Sequence, residues 1–117
     1  MLVRWPLLHS FMMMAADGYY IYTGGRTPPG VTRVRIDKSV KVIPANAFEG
    51  LFNIEEVDCH IGVKEVEEFA FYNCPSLRLV IMPGVEGVER YAFNGCEALT
   101  DVECGKLEII GECAFGR

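Results

Sequence analysis

A chain of 117 residues, half of them apolar, falls within the usual span of one domain and carries enough hydrophobic material for a core of ordinary proportions. Its 11 Lys and Arg against 16 Asp and Glu give a net charge of -5, which repels nucleic acid and anionic membrane surfaces; neither is an expected partner. No apolar run reaches the roughly eighteen residues of a membrane span. The five cysteines, with no C-x-x-C pair and no finger-like Cys/His spacing, fit a reducing compartment and imply no metal and no cofactor.

Met1 to Ala16 holds one Arg at position 4, a stretch rich in Leu and Met, and the small pair Ala15 and Ala16, which weakly resembles a secretory signal. Pro6, His9 and Ser10 interrupt its apolar core and no N-x-S/T site follows, so a cytoplasmic location is expected, with a secreted or cell-surface one as the alternative. Next, Tyr19, Tyr20, Ile21 and Tyr22 form a β-prone run ending at Thr23, Gly24 and Gly25, after which Pro28, Pro29 and Gly30 make a rigid turn. Residues 1–30 read as an N-terminal segment and cap, and residues 31–117 as about four repeats with the last incomplete.

The repeat is carried by an Ala-Phe pair at Ala47/Phe48, Ala70/Phe71, Ala92/Phe93 and Ala114/Phe115, in steps of 23, 22 and 22 residues. Four residues before each Ala stands Ile43, Val66, Val88 or Ile110, and seven before stands Val40, Val63, Val85 or Leu107. Further upstream, Val34, Val57, Val80 and Val102 are each followed two residues on by Ile36, Cys59, Met82 or Cys104, the alternation of a short strand. Val31, Ile54, Leu77 and Leu99 lie three residues before those valines. Each unit thus reads as a short strand, a turn, an apolar corner and a helical turn around Ala-Phe that closes at Leu51, Cys74 or Cys96.

This pattern resembles the BspA-like, or Treponema-type, leucine-rich repeats, whose units run close to L-x-x-I-x-L-P-x-x-[LV]-x-x-I-[GP]-x-x-A-F-x-x-C. Leu77 to Cys96, with Pro83, and Leu99 to Phe115, with Gly111, match best; Leu51 stands where Cys is usual. The resemblance implies an α/β leucine-rich-repeat solenoid: a right-handed β-α superhelix with parallel strands on one face, short helical turns on the other, and a role in binding or surface recognition.

Few residues suggest chemistry. Gly25 to Gly30 has the spacing of a phosphate loop, but Val31 stands where Lys is required and two prolines remove backbone donors, so a cap turn is expected. His9 lies in the irregular start, and His60, just past a strand, reads as a solvent-facing turn residue, which leaves no base for a Ser or Cys nucleophile. No catalytic residue is expected. Cys74 and Cys96 occupy the same place in consecutive units, about 5 Å apart in backbone, but should point the same way as buried thiols. Cys59 and Cys104, two coils apart, are too distant to bridge, and Cys113 should be half exposed.

Function is expected at the outward positions flanking the four valines: Arg33 and Arg35, Glu56 and Asp58, Leu79 and Ile81, Asp101 and Glu103. The first two pairs can attract one another. Leu79 and Ile81, fenced by acids, form an apolar strip suited to a protein ligand with apolar and basic groups. The leading expectation is therefore a non-enzymatic protein-binding module with Leu79 and Ile81 at its centre and Glu56, Asp58, Asp101 and Glu103 as rim. The alternative is a structural segment of a larger surface or adhesive protein, and self-association through an uncapped C-terminal end is a further expectation.

Overall fold

The computed structural model describes residues 14–116, so most of the signal-like stretch, and His9 within it, lies outside the described residues. Nine short strands follow in order: β1 (Tyr20–Tyr22), β2 (Arg33–Ile36), β3 (Val42–Ile43), β4 (Glu56–Asp58), β5 (Glu65–Val66), β6 (Leu79–Ile81), β7 (Gly87–Val88), β8 (Asp101–Glu103) and β9 (Ile109–Ile110). They build two parallel sheets, β1-β2-β4-β6-β8 and β3-β5-β7-β9, because each full coil adds one strand to each. The result is a parallel-strand β-solenoid. The tyrosine-rich run joins it as β1, with Tyr20 opposite Val34 and Tyr22 opposite Ile36.

Pairing is in register throughout, so like residues stack on like. Val34, Val57, Val80 and Val102 form one inward column, and Ile43, Val66, Val88 and Ile110 another. The Ala-Phe phenylalanines stack through the middle: Phe48 on Phe71 at 4.9 Å, Phe71 on Phe93 at 5.0 Å, Phe93 on Phe115 at 5.1 Å, all within 5° of parallel. Tyr22 heads this stack at 4.8 Å from Phe48. Ala70, Ala92 and Ala114 are buried beside the rings, where a larger side chain would hold the coils apart.

The Ala-Phe segments are not helical, and no helix occurs among the described residues. The β-α superhelix with helical turns expected from the sequence is corrected accordingly. The cause lies in the backbone. Asn46, Phe69, Tyr91 and Cys113, each just before an Ala, sit in the left-handed region with φ of 63°, 60°, 58° and 55°, which no α-helix can carry through. Alternate N–H groups then divide their partners. Ala47, Glu49 and Leu51 donate three residues back, to Pro44, Asn46 and Phe48, whereas Asn46, Phe48 and Gly50 donate to the carbonyls of Glu68, Ala70 and Tyr72 in the next coil. The same alternation recurs at Phe69–Asn73 and Tyr91–Gly95. Backbone donors that a helix would spend on itself hold neighbouring coils together instead.

The change of period from 23 to 22 also has a place. Between the first-sheet strand and the following corner, the early coils carry three residues, Asp37 to Ser39 and His60 to Gly62; the later ones carry two, Pro83 with Gly84 and Gly105 with Lys106. Where the turn shortens, Gly84 slides under the longer turn before it, and a Cβ there would lie 1.9 Å from the Ile61 carbonyl oxygen. Only glycine fits.

Candidate functional site

The outward side of the first sheet presents two columns. Arg33, Glu56, Leu79 and Asp101 form one, and Arg35, Asp58, Ile81 and Glu103 the other, each in register with its neighbours. All the residues singled out from the sequence are thus brought onto one face.

At the N-terminal end of this face the charges are consumed internally. The Tyr19 ring lies against both arginines, with the Arg33 guanidinium carbon 4.8 Å and that of Arg35 4.4 Å from its centroid. Its hydroxyl donates to the Glu56 carboxylate at 2.9 Å. That hydrogen bond, before burial, raises the Tyr19 pKa. Arg35 pairs with Asp17 at 2.8 Å and more loosely with Asp58 at 3.6 Å, and the Arg35 guanidinium holds the Asp17 carboxyl below the usual range. Arg33 donates to the Asp17 carbonyl rather than to Glu56, which Arg78 takes instead. Sequence reasoning placed Tyr19 in the β-prone run but gave it no part in this face, and passed over Asp17 and Arg78. For Tyr19 the signal was present: it has the same parity as Ile21, outward, while Tyr20 and Tyr22 point in.

Leu79 and Ile81 lie side by side in the middle, flanked by Glu56 and Asp58 on one side and Asp101 and Glu103 on the other. They are half-buried rather than fully exposed, since neighbours in adjacent strands about 4.8 Å away cover their flanks. Asp101 and Glu103 are exposed and have no ion pair among the described residues. The face therefore runs from closed arginine rungs through an apolar rung to free acids.

The most exposed large apolar residues lie elsewhere: Ile109 at 68%, Ile110 and Phe52 at 59% and Ile61 at 57%. On the second sheet the outward column reads Val42, Glu65, Gly87 and Ile109. The Glu65 carboxylate folds over Gly87, its oxygens 2.6 and 2.8 Å from where a Cβ would stand. Burial first, then Glu89, Glu86 and Glu67, raises its pKa. A groove of about 450 Å³ beside it is lined by Glu65, Glu68, Gly87, Arg90 and Ile109.

His60 is not a loose turn residue. Its Nε2 lies 3.1 Å from the Asp37 carbonyl and 2.9 Å from that of Val40, while Nδ1 accepts the Gly62 N–H at 3.0 Å. That set fits a neutral ring with its proton on Nε2, and it ties the turns of two coils together. The thiols are likewise structural: Cys74 donates to the Phe48 carbonyl and Cys96 to that of Phe71, each at 3.1 Å. The hydrogen bond shared with Cys74, then burial, holds the Cys96 thiol far above its usual range, and burial pushes Cys59 up to about 12. Among the described residues no cluster of His, Cys, Asp and Glu could hold a metal ion, and no helix is long and apolar enough to cross a membrane.

Comparison with solved structures finds a leucine rich cell surface protein from Faecalibacterium prausnitzii A2-165, at 18% identity and a TM-score of 0.35. The match takes in 78% of this chain and spans 36% of that one. Curated proteins give no match. The model of the BspA type leucine rich repeat region matches residues 28–117 in six copies. With its coils, ladders and Ala-Phe stack in place, this chain belongs to the BspA-type leucine-rich repeat family.

Proposed function

We propose that the chain is a non-enzymatic protein-binding module that engages its partner with the outward face of the first sheet. The observation that carries this reading is the in-register rung of Leu79 and Ile81 between two acidic rungs, one of which, Asp101 and Glu103, has no intramolecular countercharge among the described residues. An apolar centre with a charged rim is the arrangement by which protein interfaces combine desolvation with orientation. The partner offers an apolar group for Leu79 and Ile81 and basic groups for Asp101 and Glu103. Glu56 and Asp58 belong to the rim more weakly, because Tyr19, Arg78 and Arg35 already engage them.

A second reading, a structural segment of a larger surface or adhesive protein, is favoured by that same internal closure, since rungs spent on one another stabilise the stack and recruit nothing. Family membership also moves the expected location from the cytoplasm toward the cell surface, where the resemblance implies recognition modules. The test is selection of binders from a displayed peptide library on the immobilised chain, followed by their binding to a Leu79→Lys, Ile81→Lys variant shown to be folded by circular dichroism. Binders with apolar and basic residues that lose affinity for the variant support the face. Binders indifferent to it sink the first reading and leave the structural one.

A further inference from the structure

We propose that the turn at residues 17–19 is an internal occupant of a recognition site on β2 and β4, a site that takes a segment of a separate polypeptide reading acidic residue, glycine, tyrosine. The site lies at the arginine end of the face, and the chemistry it reads is opposite in charge to that called for by the acid-fenced rung of Leu79 and Ile81.

The fixed half of the site is made by strands in register. Arg33 and Arg35 stand on the outward side of β2, about 7 Å apart along the strand, with Glu56 and Asp58 opposite them on β4. Arg78 reaches Glu56 from the next coil. Three cations thus meet two carboxylates, which leaves one positive charge over, and the Asp17 carboxylate balances it at 2.8 Å from Arg35. The other contacts read a whole tripeptide rather than a charge. Arg33 donates to the Asp17 carbonyl at 3.2 Å, the Tyr19 ring lies against both guanidinium groups, and the Tyr19 hydroxyl donates to Glu56 at 2.9 Å. Between them Gly18 has a φ of 89°, and a Cβ there would stand 2.8 Å from Arg33 Nη2, so the middle position calls for glycine.

The tripeptide is held differently from the strand it precedes. None of residues 14–19 is buried, whereas Tyr20 and Tyr22 of β1 are at 7% and 1%. The turn closes on itself, the Ala15 N–H donating to the Tyr19 carbonyl and the Gly18 N–H to that of Ala15. Its contacts with Arg33, Arg35 and Glu56 are made by side chains at the solvated surface, the kind that salt screens and that contributes least to stability. Lifting the turn strands no acid: Glu56 keeps Arg78, and Asp58 keeps Arg35. Arg33 alone loses both of the partners named here, which leaves the opened rung cationic and selects an acidic occupant. A chain that carries its own ligand in this way answers a partner in proportion to the fraction of time the turn is lifted.

The experiment uses fluorescence anisotropy with a labelled peptide copied from residues 15–20 and a second carrying Asp17→Asn and Tyr19→Phe. Each is titrated with the full chain and with two chains whose turn is displaced, one by Asp17→Ala with Tyr19→Ala and the other by Gly18→Ala, all shown to be folded by circular dichroism. The native peptide should bind both displaced chains at least about tenfold tighter than the unaltered chain, lose that affinity with salt, and outdo the altered peptide by a similar factor. Adding Arg33→Gln and Arg35→Gln to a displaced chain should abolish binding, while Leu79→Thr with Ile81→Thr should leave it unchanged. Displaced chains that bind no better than the unaltered one, equal affinity for the two peptides, binding that survives the loss of both arginines, or loss with the Leu79 and Ile81 changes overturns the proposal. So does a dimer of the unaltered chain in sedimentation that the peptide dissociates, which assigns the site to a second copy.

Discussion

In the phenylalanine column, the place of a ring sets what its removal costs, because an inner ring has two stacking partners and the end ring has one. Phe71 stacks on Phe48 and Phe93, Phe93 on Phe71 and Phe115, and Phe115 on Phe93 alone. Replacement by Leu keeps most of the apolar volume and removes the stacking, which is worth about 0.5–1.5 kcal/mol per aromatic pair. Phe71→Leu and Phe93→Leu each remove two stacks and should each cost about 1–3 kcal/mol, whereas Phe115→Leu removes one and should cost about half as much. The double variant Phe71→Leu, Phe93→Leu loses three stacks rather than four, because the pair between them is shared. Its cost should fall short of the sum by about 0.5–1.5 kcal/mol, the value of one pair. The measurement is urea unfolding followed by circular dichroism, with the slope held constant across variants so that midpoints report stability. Strict additivity, or a Phe115 variant as costly as Phe71, would show that the rings act as separate hydrophobes and refute the ladder.

Other consequences follow from local geometry. Gly84→Ala places a methyl against the Ile61 backbone and should destabilise by about 2–3 kcal/mol, while Gly105→Ala, whose nearest neighbour is the Pro83 carbonyl at 3.9 Å, should stay within about 0.5 kcal/mol in the same unfolding assay. His60→Ala strands the Val40 carbonyl and the Gly62 N–H, while the Asp37 carbonyl keeps the Val40 N–H, and should cost about 1–2 kcal/mol, with faster amide exchange at Gly62 as its local mark. In thiol titration with a maleimide, Cys113, which is exposed, should react first, and the buried Cys59, Cys74 and Cys96 only on unfolding. Cys59 carries a pH dependence. Its folded pKa, about 12, stands above the ordinary 9.0, so its contribution is complete below pH 9 and is lost as pH rises toward 12. By pH 10 that loss is about 1.4 kcal/mol, and Cys59→Ala should remove this part of the alkaline slope.

How much of this was readable from the residues divides along the direction of each side chain. Inward positions were readable because burial restricts them to branched apolar residues at one spacing: Val34, Val57 and Val80 identify the strand, its pairing partner and its register at once. The Ala-Phe segment misled because a short apolar step with a small residue suits both a helical turn and a pair of β-turns. What separates them is the left-handed φ at Asn46, Phe69, Tyr91 and Cys113, and only Asn among these advertises it. The shift from 23 to 22 residues was in plain view, but its meaning, a three-residue turn passing over a two-residue one at Gly84, depends on which coil overlies which. The roles of Tyr19, Asp17 and Arg78 were not legible for two reasons: Tyr19 and Asp17 lie outside the repeat, on a segment whose crossing of the sheet face the repeat does not specify, and Arg78, inside it, reaches back one coil to Glu56.

The ladder also explains why chemical variety in such a chain collects in so few positions. Each inward residue is held by a like residue above and below, so a change there must be accommodated by two coils, and the columns vary only among Val, Ile, Leu, Met and Cys. Outward residues carry no such constraint. Along one column they pass from Arg33 through Glu56 and Leu79 to Asp101, and along the other from Arg35 through Asp58 and Ile81 to Glu103, so two columns of four residues hold most of the chemical variety of the first sheet. Half of that variety is neutralised where Tyr19, Asp17 and Arg78 reach it. The remainder is an apolar rung, Leu79 and Ile81, followed by an acidic one, Asp101 and Glu103, that has no ion pair among the described residues. On the proposed face, a ligand that meets Asp101 and Glu103 with basic groups would reach the adjacent Leu79 and Ile81 without any rearrangement of the coils beneath.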